Sequence, residues 1–429
     1  MNIYGIIIVT ALVTKFIIEL ISEWLNLRCL QTELPDELKG FYDAEQYRRS
    51  QQYTRSHSKL ATVESFFDLT VLLVFWFAGG FNRLDEWARS FACNSIVTGI
   101  IYVAVIGSAA AVLSLPFSLY STFVIEERFG FNRTTLSTFI SDRLKSLLLS
   151  AVLGIPLLAV IFWFFENAGR LSWLYCWMVA VAFTLILQFV APVWILPLFN
   201  KFSPLPEGEL KERVLEYVNR TGLPFRGIFV MDGSRRSSKA NAFFTGFGKN
   251  RRIALFDTLI AQHPVQELVA ILAHEIGHLK KGHIIRETAI SIVHAGMVFW
   301  LMSLFLNNPG LFAAFYVQHV SVYGSLLFFA FMYEPISFVL SLGLNALARK
   351  YEREADAYAA QTIDDSEDLV TALKRLSVKN LSNLTPHPFY VFLNYSHPPL
   401  LQRIKAIRKI AARPGNAQAV AAQAASQGL

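Results

Sequence analysis

Seven stretches of about 20 mainly apolar residues decide what this 429-residue chain can become. They cover 3–25, 62–79, 97–124, 146–165, 171–199, 288–306 and 323–347. Segments of this length cross a bilayer only if each satisfies its backbone hydrogen bonds within itself, which the α-helix does. The 17% of charged residues, against about 25% in soluble domains, agrees with that reading. Pro116, Pro156, Pro192 and Pro335 fall inside these stretches, where membrane helices tolerate them. Met1-Asn2-Ile3-Tyr4 lacks a basic start and no small-residue cleavage site follows, so the first stretch reads as a retained span. The expected fold class is mainly α, a polytopic membrane protein with seven transmembrane helices plus a soluble portion holding a small β-sheet.

Basic residues alternate between the connecting loops. The first carries Arg28, Lys39, Arg48, Arg49, Arg55 and Lys59, and the third Arg128, Arg133, Arg143 and Lys145. The second has only Arg83 and Arg89, the fourth Arg170, and the sixth neither Lys nor Arg. The positive-inside rule then places loops one, three and five and the C-terminus in the cytoplasm. The net charge of +7 is assigned to that bilayer face; no basic run with interleaved aromatics suggests nucleic acid. Cys29, Cys93 and Cys176 make no C-x-x-C pair, so a bound metal would rest on His and carboxylate. Inside the spans, Lys15 and Glu19 are expected to pair at i, i+4, and Glu64 and Asp68 to lie near the cytoplasmic end of span two. Glu334, beside Pro335 in mid-span, should face helices or water rather than lipid.

The largest soluble piece is loop five, about 200–287. A helix is expected over 207–219, strands over 227–231, 240–247 and 252–257, and a second helix over 264–281. From Ala348 a second soluble helical segment follows, and the Ala/Gln-rich end from Pro414 reads as a disordered tail. The organisation is thus 1–199 membrane helices one to five, 200–287 soluble portion, 288–347 helices six and seven, 348–412 C-terminal soluble portion and 413–429 tail.

Within the 264–281 helix, His274-Glu275-Ile276-Gly277-His278 spells H-E-x-x-H. Positions i and i+4 share a helix face, so two imidazoles can bind one Zn²⁺ while the intervening Glu reaches a water. Glu267 before the motif and Lys280-Lys281 after it leave too short an apolar run for a span, so the helix should be soluble and membrane-adjacent. Catalytic zinc takes three protein ligands as a rule. The metzincin pattern needs Gly at position 281 and His at 284, where Lys281 and Ile284 stand. His283 is one residue off and is expected to point away. Glu352 and Asp356 share a helix face: Glu352 suits the third ligand, and Asp356 suits the acceptor for the free ring N–H of a ligand His. Glu354 points roughly the other way. Spacing alone leaves a solvated charged helix equally open.

Ala348-Arg349-x-x-Glu352-x-x-Ala355-Asp356 resembles the S-R-x-x-E-x-x-A-D motif of the CAAX prenyl protease 1 family. Further stretches resemble that family: Phe123 to Asn132, Pro197 to Phe202, and Ser396-His397-Pro398-Pro399. The departures are Ala348 where Ser is usual and Gln402 where Glu is common. The resemblance covers roughly residues 1–410 and implies a zincin-like (gluzincin-type) endopeptidase with one Zn²⁺ per chain, held by His274, His278 and Glu352. It implies Glu275 as general base, His397 as donor to the developing oxyanion, Arg403 as a brace, and Asn241, Ala242 and Phe243 beside the substrate. It also implies an α-barrel of seven helices around a water-filled chamber, which Glu334 and His294 would line.

Expected partners are peptide or protein C-termini, prenylated or not (the chain has no feature that reads a prenyl group), and the bilayer. A membrane-protein quality-control protease shares the metal site but usually has fewer spans. A transporter or receptor with a vestigial site fits poorly with four metal-site residues together. No retention signal ends the chain, which favours a bacterial inner membrane over endoplasmic reticulum.

Overall fold

A computed structural model of the chain describes residues 1–31, 33–222, 227–245 and 252–412. The expected tail at 413–429 lies outside the described residues, as does the end of the strand expected over 240–247. The membrane half begins with α1 (Ile3–Arg28), α2 (Ala44–Phe77) and α3 (Gly80–Arg89). It continues with α4 (Ser95–Tyr120), α5 (Leu136–Asn167), α6 (Ser172–Val190) and α7 (Leu196–Phe199). Asn2, Asp43, Asn94 and Thr135 cap α1, α2, α4 and α5, each side chain accepting from a backbone N–H in the first turn. Two π-helical turns, Ser121–Glu126 and Ala191–Ile195, prolong α4 and α6. The second contains Pro192, whose missing N–H suits a widened turn.

A four-stranded sheet follows, made of β1 (Phe202–Pro204), β2 (Gly227–Met231), β3 (Ala242–Thr245) and β4 (Arg252–Phe256), with α8 (Glu209–Thr221) between β1 and β2. Its order is β1-β2-β4-β3; β2 and β4 run parallel, and the outer pairs are antiparallel. β3 is therefore an edge, and β1 is a strand that the sequence reading left out. The chain then forms α9 (Asp257–Gln262), α10 (Val265–Lys280), α11 (His283–Phe305), α12 (Pro309–Ala314) and α13 (Val322–Thr362). It closes with α14 (Ser366–Lys379), α15 (Pro388–Asn394) and α16 (Leu400–Ala411).

Among the described residues, seven helices are long and apolar enough to cross a membrane. Span seven and the soluble segment expected from Ala348 are one helix: α13 runs 41 residues without a break. At 1.5 Å per residue it is about 60 Å long, twice a hydrocarbon core, so its C-terminal third stands clear of the apolar run. Lys15 lies 3.8 Å from Glu19 but pairs more closely with Glu334 of α13. The local i, i+4 pairing is thus the weaker contact, because a helix crossing offers the ammonium a nearer carboxylate. His294 Nε2 meets the Tyr333 hydroxyl at 2.8 Å.

Candidate metal centre

The α10 helix is amphipathic in a particular way. Leu268, Leu272 and Ile276 bury one stripe in a core shared with the sheet, α8, α14 and α16. Ala273 and Gly277 form a second, small-residue stripe that faces α13. A Cβ at Gly277 would lie 2.9 Å from both the Cα and the carbonyl oxygen of Ala355, so only glycine lets the two backbones come this close. Below the contact, Glu267 near the α10 N-terminus accepts from Arg375 Nε at 2.9 Å and meets His263 Nδ1 at 2.7 Å. Both carboxylate partners outweigh the burial that would otherwise raise the Glu267 pKa, and it ends lowered.

That contact sets His274 and His278 against Glu352. The two Nε2 atoms are 3.3 Å apart. Glu352 places Oε1 3.3 Å from His278 Nε2 and Oε2 3.5 Å from His274 Nε2. Ligand atoms of all three residues lie within 4.8 Å of one another. Glu352 Oε2 is buried without a hydrogen bond. Two imidazole nitrogens and an orphaned carboxylate oxygen turned on one point fit a divalent metal of zinc's ligand preference.

The outer nitrogen of His274 is held as well: Nδ1 is 2.8 Å from Asp356 Oδ1. Arg403 of α16 grips the same carboxylate through Nε at 2.9 Å and Nη2 at 2.7 Å. Burial opposes charge on His274, yet its bond to Asp356 and the nearby Glu352 carboxylate prevail and lift its pKa to about 9. Burial pushes the Glu275 carboxyl up, while His274 and His278 pull it down; the net direction is up.

His397 reaches the group from the loop between α15 and α16, with Nε2 3.2 Å from Glu352 Oε1 and Nδ1 2.9 Å from Ser396 Oγ. Pro398 and Pro399, which follow it, are buried. Arg349, which carried no role in the sequence reading beyond its place in a motif, donates to the carbonyls of Val391 and Tyr395 at 3.2 and 2.6 Å and ties this loop to α13. Asn241 lies at the start of β3 with its side chain exposed, and its carbonyl accepts from Phe256 N at 3.1 Å. Ala242 is buried, and the ring of Phe243 packs 6.2 Å from that of Phe256. Glu354 stays outside the ligand group. His283 also stays outside, yet it does not point away: its Nδ1 is 3.1 Å from Nδ1 of His278. The expectation rested on the spacing from the motif alone, whereas Gly282, at φ 67°, turns the chain between α10 and α11 and brings the His283 ring back toward His278.

Comparison with known proteins gives the family. Residues 23–201 match the family model described as CAAX prenyl protease N-terminal, five membrane helices, and residues 204–411 match peptidase family M48. The CAAX prenyl protease 1 homologue of Arabidopsis thaliana is 35% identical over 411 residues, covering 93% of this chain and 96% of that one. The human homologue is 30% identical over 423 residues, covering 88% and 89%. The crystal structure of S. mikatae Ste24p superposes with a TM-score of 0.88 at 31% identity, over 95% of this chain and 99% of that one.

Proposed function

The chain belongs to the CAAX prenyl protease 1 family of membrane zinc metalloendopeptidases, and from that premise we propose that His274, His278 and Glu352 hold one Zn²⁺ and that Glu275 is the general base. It is a multi-pass integral membrane protein that acts on peptide or protein substrates. The observation that carries the assignment is the convergence of two Nε2 atoms and an unpartnered carboxylate oxygen within 4.8 Å.

Zinc, when bound, supplies a Lewis acid and brings the pKa of a water toward about 7. Glu275, with a carboxyl already raised by burial, takes a proton from the attacking water and passes it to the leaving amine. His397 donates to the substrate carbonyl oxygen as negative charge builds there, and its loop is steadied by Arg349. Asp356 and Arg403 fix the His274 ring through its outer nitrogen. An extended substrate adds to the free edge of β3 beside Asn241, Ala242 and Phe243, pairing through backbone groups.

The proposed substrates are C-termini of the C-a-a-X kind, prenylated or not, cleaved on the cytoplasmic side where the basic loops lie. The soluble portions are proposed as 200–287 and 348–412. A bacterial inner membrane remains the proposed host membrane.

Purified Glu275→Gln should keep stoichiometric zinc by elemental analysis and lose peptidase turnover by at least about 100-fold; unchanged turnover would overturn the base assignment. Glu352→Ala should lose the zinc itself. A farnesylated C-a-a-X peptide assayed beside its unmodified twin reads the substrate class.

A further inference from the structure

We propose that His283 and Glu354 form a second positioning arm, which orients the ligand His278 as Asp356 orients His274. The His283 ring is 1% exposed and stacks on Tyr351 at 4.2 Å between centroids with 13° between planes, so its two nitrogens have fixed directions. Nδ1 faces His278 Nδ1 at 3.1 Å. Nε2 faces Glu354 Oε2 at 3.0 Å.

Counting protons along this line leaves one arrangement. His278 turns Nε2 toward His274 and Glu352, so that nitrogen must offer a lone pair if it is to bind metal. Its proton then sits on Nδ1 and needs an acceptor. His283 Nδ1 is the atom in place, which puts the His283 proton on Nε2, where the Glu354 carboxylate accepts it. The reverse assignment would put a proton on the metal-facing nitrogen of His278 and a lone pair of His283 against a carboxylate. Arg286 Nη1 and Lys350 Nζ, each 3.8 Å from a Glu354 oxygen, favour the anion that ends the line. Ligand histidines commonly rest on a carboxylate through their other nitrogen. Here that carboxylate acts through a second imidazole, because the chain turn at Gly282 inserts His283 between α10 and α13.

The proposal rests on His278 being a zinc ligand, and the test separates the two. The full-length chain in detergent is stripped of metal and titrated with zinc against a competing chelator. His278→Ala should abolish tight binding; if affinity survives, the ligand reading fails and takes the arm with it. Given that loss, His283→Ala should weaken zinc by about 10- to 100-fold. Glu354→Gln, a half-buried change that keeps shape, should weaken it by about 3- to 10-fold and leave the melting midpoint of the metal-free protein unchanged. His283→Gln should recover most of the loss, since its amide accepts through Oε1 and donates through Nε2. The Co²⁺-loaded His283→Ala protein should also show a shifted visible spectrum. Zinc affinity of Glu354→Gln within twofold of the parent overturns the proposal, and so does a His283→Gln protein that binds no better than His283→Ala.

Discussion

Around the metal-ligand group the buried core is mainly aliphatic and small: Leu272, Ala273, Ile276, Ala359, Val370 and Ile404, with Tyr217 a buried aromatic among them. Toward the other end of α13 it is aromatic: Trp76, Phe81, Phe162, Phe312, Phe315 and Phe328. Phe328 and Glu352 are 24 residues apart on one helix, or about 36 Å. The far cluster is built of flat faces and edges. Trp76 stacks on Phe315 at 4.1 Å, Phe315 on Phe328 at 4.2 Å, and Phe81 meets Phe315 edge-on at 5.3 Å. Trp76 Nε1 donates to the carbonyl of Ala314 at 2.8 Å, so the buried indole N–H is satisfied. Rings fill space between helices that stand apart, whereas Ala and Gly let helices touch. One end is closed by volume, and the other is set by distance.

The sharpest break of this comparison is Gly277→Val. The added carbon atoms meet the backbone of Ala355, which cannot yield as a side chain would. Peptidase turnover should fall by more than about 100-fold with zinc content falling in step, while the helical signal of the membrane bundle stays. Full zinc occupancy in that variant would show that helix distance does not set the site. The matched change at the far end is Phe315→Ala. It should cost about 3–5 kcal/mol of stability, read as a lower melting temperature in detergent. Turnover well below that temperature should stay within about threefold of the parent; a proportionate loss of zinc would erase the contrast between the ends.

The smallest effect belongs to Glu267, which ties the aliphatic core to Arg375 and His263. Its pKa in the fold is lowered from 4.5. The group therefore stabilises the fold above about pH 4.5, and that contribution drains away as pH falls through the folded value. Thermal midpoints measured downward from pH 6 should drop more steeply for the parent than for Glu267→Gln. Parallel slopes would remove Glu267 from the account.

Much of both ends was legible in the residues. Seven runs of apolar side chains announce seven spans, because hydrocarbon tolerates few other arrangements. The i, i+4 spacings of His274 with His278 and of Glu352 with Asp356 place each pair on one face before any fold is known. What the residues hid lies between elements. β1 is three residues long and ends in Pro204, too short for any periodicity to appear. The unbroken α13 was hidden because its character changes from apolar to charged near Ala348, a change of surroundings and not of backbone. Lys15 has a carboxylate one turn away, and its nearer partner is 319 positions distant. The direction of the His283 ring was hidden because the left-handed turn at Gly282, and not helical spacing, sets it.

The continuous α13 leaves the site exposed to its host membrane in a mechanical sense. Glu352 and Asp356 sit toward one end of a rod whose other end is pinned among stacked rings. Pivoting that rod by about 3° at Phe328 would carry Glu352 by about 2 Å, more than the distance that separates a good metal bond from none. Membrane helices adjust their tilt to the thickness of the lipid around them. The α10 contact at Gly277, with the Arg403 grip on Asp356, clamps this end of the rod, so the same missing side chain that brings the ligands together also helps isolate them from the thickness of the bilayer.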